Sequence, residues 1–462
     1  MGGTRPPGQP PVAVRVTGAT AADGPTGPSA ADRPDPLPRL LPGDPMPTAG
    51  LRHNHDFLLL AVVRTVSKLG TQVTAVAMPL LVLAMTGSAT DAGLVAFAEG
   101  VALVLVLLPA GLLADRRDRR IIILVCDAGA LLAAVAVAAL ALTGDAPVLV
   151  IAILAAASAA LGAALQPAAA AATRAVVAPR DLRAATVFNE TRNGMVYLAG
   201  PPLGGLLFGL NPALPFLVDA ASYAVALVGV VLLRGPLGRG RAETGDSLPR
   251  QAVAGVRFLW RQPPLRYTLV GGAVMNFAFA GVLLAILVVP VRNGASGLSA
   301  GSIVACVGLG AVIGSLVASW LTARIPTRWL ILAVIWSCAL LVAAMAGTDD
   351  GYVLGALAGT CALLVPAANV SMLTLQALLT PDHLQGRANA ATSFLALVVS
   401  PFGPALAGLL LDHTPTRAVF LVFAAILLVL AVASTAGRAV RAVPDLRHVG
   451  EPEPAVPDPQ PV

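Results

Sequence analysis

Apolar runs of about 18–25 residues dominate the pattern of hydrophobic and polar positions along this chain. At 1.5 Å per residue each is long enough to cross about 30 Å of hydrocarbon as a helix. Twelve such runs fall near 57–85, 91–113, 120–142, 147–172, 186–209, 213–233, 266–290, 299–322, 329–346, 352–376, 388–411 and 418–436. Short polar turns such as Thr86-Gly87-Ser88 and Thr143-Gly144-Asp145 separate them on one side. The pattern predicts an all-α membrane protein of twelve transmembrane helices. The longest internal break, 234–265, divides the spans six and six, into an N-terminal bundle over 56–233 and a C-terminal bundle over 266–436. Within the break Val253, Val256, Leu259 and Trp260 share one helical face, with Arg250, Arg257 and Arg261 on the other. A helix lying in the membrane interface has this pattern, and so does an ordinary linker helix.

Composition agrees with lipid as the second solvent: 57% of the residues are hydrophobic and 12% charged, about half the charge of a soluble domain. Residues 1–50 hold twelve prolines and little periodicity, so 1–55 reads as a disordered tail, and 437–462 reads likewise. The net charge of +6 is no nucleic-acid footprint, because the basic residues sit in short turns. Loops on the tail side and the C-terminal tail hold twenty arginines, and the opposite loops hold two, Arg292 and Arg417. That asymmetry predicts an inner-membrane protein with both termini in the cytoplasm. The four cysteines, Cys126, Cys306, Cys338 and Cys361, lie in separate spans with no metal or redox spacing, so neither metal nor cofactor is expected. A phosphate-binding G-x-x-x-x-G-K-[ST] loop is missing, which argues against ATP as direct energy source. All five histidines lie in tails or loops, leaving no span-end catalytic cluster and no expectation of an enzyme.

The two halves resemble each other. Pro201-Pro202-Leu203-Gly204-Gly205-Leu206-Leu207 matches Pro404-Ala405-Leu406-Ala407-Gly408-Leu409-Leu410, and Phe216-Leu217-Val218-Asp219-Ala220-Ala221 matches Phe420-Leu421-Val422-Phe423-Ala424-Ala425. Leu113-Ala114-Asp115-Arg116 meets Leu321-Thr322-Ala323-Arg324, so the offsets are 203, 204 and 208 residues. Three matches in order at nearly one offset indicate a duplicated unit. Parallel repeats of this kind place a substrate path between the halves near the bilayer midplane.

Three of these segments carry a family resemblance. Gly111-Leu112-Leu113-Ala114-Asp115-Arg116-Arg117-Asp118-Arg119-Arg120 resembles the G-x-L-A-D-R-x-G-R-R loop of the major facilitator superfamily, between spans two and three. Gly200-Pro201-Pro202-Leu203-Gly204-Gly205 resembles the G-P-x-x-G-G antiporter motif of span five. Phe216 to Tyr223 and Gly255 to Arg261 are similar to the branch holding macrolide-efflux pumps and the enterobactin exporter. The resemblance covers roughly 56–436 and implies drug–proton antiport by a monomer with alternating access. It departs at Asp118 (a glycine in the motif), at Val196, in span four, which lacks the arginine of many antiporters, and at Thr71, where many relatives carry an acid. The loop motif, Gly111, Asp115, Arg116, Arg119 and Arg120, reads as a latch in which Asp115 caps the N-terminus of span eleven near Arg387 in one state. Arginines that merely anchor a cytoplasmic turn are the alternative. In span five Gly200, Pro201, Gly204 and Gly205 suit either a seal and hinge or ordinary close packing.

Charges inside spans are costly unless paired or hydrated. Glu99, Asp219 and Asp127 are the candidate proton-coupling acids, with Asp127 close in depth to Arg64, and the second half has no comparable acid. Arg64, Lys68, Asn189, Asn193 and Tyr197 are candidate cavity-lining residues, the last three on one helical face at i, i+4 and i+8. The expected function is proton-driven export of a hydrophobic or amphipathic small molecule, drug, antibiotic or siderophore-like. The alternative is an importer or facilitator of a small solute.

Overall fold

A computed structural model describes residues 54–144, 146–233, 256–295 and 297–437, together with Leu51, Gly235 and Leu237. The N-terminal half holds α1 (His55–Thr86), α2 (Ala89–Arg116), α3 (Arg119–Thr143), α4 (Val148–Val176), α5 (Leu182–Leu210) and α6 (Leu214–Leu232). The C-terminal half holds α7 (Pro263–Arg292), α8 (Gly297–Arg324), α9 (Thr327–Met345), α10 (Gly351–Leu379), α11 (Asp382–Val398), α12 (Phe402–His413) and α13 (Thr416–Ala436). The disordered tails expected at either end, and most of the 234–265 linker, lie outside the described residues. Residues 256–261 are helical, and Leu259 is buried against Leu265, Leu269, Ala388 and Ala391. Trp260, the next residue and so about 100° further around the helix, is exposed.

Local chemistry sets the boundaries. Asn54 caps α1 by accepting from the Phe57 N–H at 3.0 Å, and α1 ends at Gly87 with φ of 69°, a conformation that suits glycine. Asp118 caps α3 by accepting from the Arg120 N–H at 2.9 Å, which explains an aspartate where the loop motif has glycine. The one broken span is the eleventh, split into α11 and α12 at 399–401. Pro401 has no N–H to give and its ring clashes with the preceding turn, so the chain passes through tight turns closed by Phe402 N–H to Val399 O and Gly403 N–H to Ser400 O.

Among the described residues eleven segments are long and apolar enough to cross a membrane, with α11 and α12 contributing one between them. The twelfth crossing is α5, whose first half carries Arg183, Asn189, Glu190, Arg192 and Asn193 and so falls short on apolarity alone. Inside the N-terminal half, α1 packs on α5 and α6, α2 on α4, and α3 on α4 and α6. In the C-terminal half α8 packs on α10, α9 on α10 and α13, and α7 on α12 and α13. The halves meet through α5 against α8 and α2 against α12, two contacts that exchange under the internal repeat. Phe216 and Phe420, equivalent in that repeat, are both fully buried. Small residues set the spacing: a Cβ on Gly310 or Gly314 would collide with the α10 backbone at Gly359 or Leu363.

Candidate functional site

Between the halves lies a cavity of about 1160 Å³. It reaches from the middle of the helices toward the arginine-rich face. Its N-terminal wall comes from α1, with Lys68 and Gln72, and from α5, with Glu190, Asn193, Tyr197 and Pro201. The C-terminal wall comes from Gly271, Gly272, Met275, Asn276 and Phe279 of α7, Gly308 and Ser315 of α8, and Asn369 and Met372 of α10, with α9 behind. One wall therefore carries charge, and the other is neutral, with amides among sulfur and aromatic surface. The Lys68 ammonium sits 5.0 Å from the centre of the Tyr197 ring.

On the far side of this cavity the halves close on one another. Val76 and Leu80 of α1 pack with Leu287 of α7 and Ala300 of α8. Gly301 lies so close to Pro201 and Gly205 that a Cβ there would strike their backbone, and Gly93 meets Pro404 and Gly408 in the same way. Gly200 and Gly204 do different work within the half, pressing α5 onto Gln72 and Val73 of α1. A polar clasp joins the outermost ends. Asp412, at the end of α12, accepts from the Ala89 N–H at 3.1 Å, the Thr90 N–H at 2.7 Å and the Ser88 hydroxyl at 3.0 Å, at the N-terminus of α2. Arg292 pairs with Asp412 and donates to the carbonyls of Leu411 at 2.8 Å and Gly87 at 3.4 Å.

The span-embedded charges separate into distinct environments. Asp127 on α3 is wholly buried and accepts from the two terminal guanidinium nitrogens of Arg64, Nη2 at 2.5 Å and Nη1 at 3.3 Å. Arg192 donates to the Ala61 carbonyl, and to the Thr65 hydroxyl at 3.2 Å. Arg64 and Asn189 are thus off the cavity wall, Arg64 because Asp127 holds it, while Lys68, Asn193 and Tyr197 are on it. Asp219, buried on α6, accepts from Thr74 at 2.9 Å and from Ser222 at 3.3 Å, with no ion pair among the described residues. Gly70 lets α1 approach that carboxylate closely. Glu99 on α2 is half-buried, one turn from buried Val95, and it too makes no ion pair among the described residues. Neither Glu99 nor Asp219 lines the cavity.

In the loop motif, Arg120 donates to the carbonyls of Val230, Val231 and Leu233 at 2.7–2.9 Å, closing the C-terminal end of α6. Arg119 donates to Leu237 O at 3.2 Å, and Arg116 is exposed. A Cβ on Gly111 would meet open space. The Asp115 side chain lies outside the described residues.

Residues 46–449 match the transmembrane secretion effector family of the major facilitator superfamily. The chain belongs to that family. Among curated proteins this secretion effector is 26% identical over 406 residues to the multidrug efflux pump Tap of Mycolicibacterium fortuitum, covering 81% of this chain and 94% of Tap. The same holds at 26% over 377 residues for Tap of Mycobacterium tuberculosis H37Rv, covering 77% and 87%. Among solved structures the fold matches the nucleoside transporter NupG (TM-score 0.68, 14% identity, 83% of this chain and 98% of NupG). It also matches an inward-facing bacterial homologue of the lysosomal transporter Spinster (0.65, 17%, 84% and 97%). The transporter is a multi-pass membrane protein of this superfamily.

The C-terminal wall of the cavity escapes a reading based on charge, because no charged side chain lies on it. The repeat held the missing signal. Asn276 stands 204 positions after Gln72, the offset of the Phe216–Phe420 match, and both amides line the cavity. The clasp was missed for another reason: Asp412 and Arg292 sit just past span ends, where charge carries no penalty and draws no notice.

Proposed function

We propose that the transporter is a secondary active exporter of hydrophobic or amphipathic small molecules, acting as a monomer in the cell inner membrane with both termini cytoplasmic. The observation that carries this reading is the two-sided cavity, charged on α1 and α5 and neutral, with methionine and phenylalanine beside its amides, on α7 and α10, reached from the arginine-rich face and shut on the other. With that face cytoplasmic, the molecule is open inward, ready to load cargo from the cell. Its similarity to Tap, a multidrug efflux pump, supports export of drug-like cargo. Protons are the proposed counter-ion, carried by Glu99 and Asp219, which make no ion pair among the described residues. Asp127 is fixed by Arg64 and is assigned to structure. In a host stripped of its own pumps, cells making the protein should accumulate less of an amphipathic dye, and a protonophore should erase the difference. Equal accumulation with and without the protein, or export indifferent to the protonophore, would contradict the reading. The amides Gln72, Asn193, Asn276 and Asn369 favour a second reading, import or facilitated passage of a small polar solute, and the sign of the accumulation change separates the two.

Alternating access requires the closed end to open, and the clasp is its fastener. In the loop-motif latch expected on the arginine-rich face, a carboxylate ending span two meets the N-terminus of span eleven. Asp412 is the mirror image, ending span eleven and capping span two. Charge-assisted hydrogen bonds contribute about 1.5–3 kcal/mol each. Asp412→Asn should therefore move the equilibrium roughly ten- to hundredfold toward the form open on that face. In a cysteine-free background, Leu80→Cys, buried in the described state, should then react faster with an impermeant thiol reagent added outside. Unchanged labelling would remove the clasp from the transport cycle.

A further inference from the structure

We infer that Lys68 sets the charge preference of the cavity, selecting amphipathic molecules whose polar end is a carboxylate or comparable oxyanion. This rests on the transport reading above and narrows its substrate class. Lys68 lies near the middle of α1 and is the one lysine among the 30 basic residues of the chain. The two cations beside it are engaged. Arg64 is held by buried Asp127, and Arg192 by the Ala61 carbonyl and the Thr65 hydroxyl. Lys68 makes no ion pair among the described residues, its partner there being the Tyr197 ring. Glu190, the one acid on the wall, is exposed and not within ion-pair distance of Lys68.

The repeat shows what is unusual about this position. Gln72 has an amide counterpart in Asn276, but the residue 204 positions after Lys68 is Gly272. A Cβ on Gly271 or Gly272 would meet nothing within 4 Å, and Asn276 donates to the Gly272 carbonyl at 2.9 Å. The two halves thus build a near-symmetric pair of amides, and the N-terminal half adds a cation where the C-terminal half leaves room. An ammonium at mid-membrane depth whose contact is a ring face is a receptive group, since an oxyanion supplies the counter-charge it lacks. Lysine offers three rotatable donors from a compact charge, which suits oxyanions of varied shape better than a fixed guanidinium fork. Gln72 and Asn193 flank it as further donors, and the apolar body of the ligand then lies against Met275, Phe279 and Met372, whose soft surfaces tolerate varied shapes.

The test uses two dyes that share a xanthene body and differ in charge, anionic fluorescein and cationic rhodamine 123. Binding to the purified full chain in nanodiscs is read by fluorescence polarisation. The wild type should prefer fluorescein. Lys68→Met should weaken fluorescein at least tenfold while leaving rhodamine 123 equal or tighter, Lys68→Glu should reverse the order, and Lys68→Arg should keep it. A purely structural role for Lys68 predicts the same loss for both dyes. That result overturns the inference, as does a wild type that prefers rhodamine 123 or fails to bind fluorescein, or a Lys68→Glu variant that keeps the original order. Because equilibrium binding needs no gradient and has no direction, its outcome is independent of the export assay. Charge-selective binding without cellular export would sink the exporter reading and leave Lys68 in place.

Discussion

Asp127→Ala should be among the most damaging single substitutions in the N-terminal half, costing about 3–5 kcal/mol and most of the folded yield. Asp127 is fully buried at 2.5 and 3.3 Å from the Arg64 guanidinium, so deleting it strands a cation within α1, α3 and α6. The loss arises from the stranded charge and not from the pair itself. Arg64 Nε is already buried without a hydrogen-bond partner among the described residues, so the pair is incompletely satisfied. The double variant Arg64→Leu, Asp127→Leu should therefore recover most of the stability, since an apolar pair of similar volume often equals or exceeds a buried ion pair. Thermal unfolding in detergent, followed by size-exclusion chromatography with fluorescence detection, measures both. A single variant as stable as wild type, or a double variant as damaged as the single, would show that the pair does not hold these helices together.

The architecture was legible because its physics is one-dimensional. Crossing lipid demands about twenty apolar residues per helix, and that length survives in sequence without any knowledge of packing. The elements that misled are those where tertiary context decides. Span eleven breaks at Pro401 although its apolar run continues, because hydropathy does not register a missing N–H. At the site, charge marked the N-terminal wall, where Lys68 stands out against lipid-compatible neighbours. It was silent on the C-terminal wall, where Met275, Phe279 and Met372 look like any membrane residue until the helices are assembled. Arg64 looked like a cavity residue because helical spacing places it one turn from Lys68. Asp127, 63 positions away in sequence, draws it aside.

The largest functional effect is expected at Glu99 and Asp219, the two span acids without an ion pair among the described residues. A carboxylate in a membrane helix persists when it is protonated, paired or reached by water. Among the described residues Asp219 has the hydroxyls of Thr74 and Ser222 as its side-chain donors and Glu99 makes no ion pair, so under the proposed antiport each is placed to exchange a proton as its surroundings change. The link from Asp219 to cargo runs through α1. Thr74 and Gly70 face the carboxylate, Thr71 meets Tyr223 of α6 at 3.1 Å, and Lys68 and Gln72 on the same helix line the cavity. A carboxyl group that loses its proton draws hydroxyl donors more strongly, which under the proposed function would pull on α1 and so on the cavity wall it carries. Asp219→Asn keeps the shape of the side chain and one accepting oxygen, and a hydroxyl facing the new amide N–H can turn from donor to acceptor, so folding should change by less than about 1 kcal/mol. It should nonetheless remove the proton-linked part of that pull. Glu99→Gln should act likewise on α2, which carries the other contact between the halves. In everted vesicles with substrate and proton flux followed together, each variant should lose most uphill accumulation. The double variant should lose all of it while still exchanging substrate down its gradient. Loss of downhill exchange as well would mean that these acids hold the cavity in shape. Proton-driven accumulation at the wild-type level in both single variants and the double would remove Glu99 and Asp219 from the coupling path and return attention to the Arg64–Asp127 pair, which lies beside the same helix.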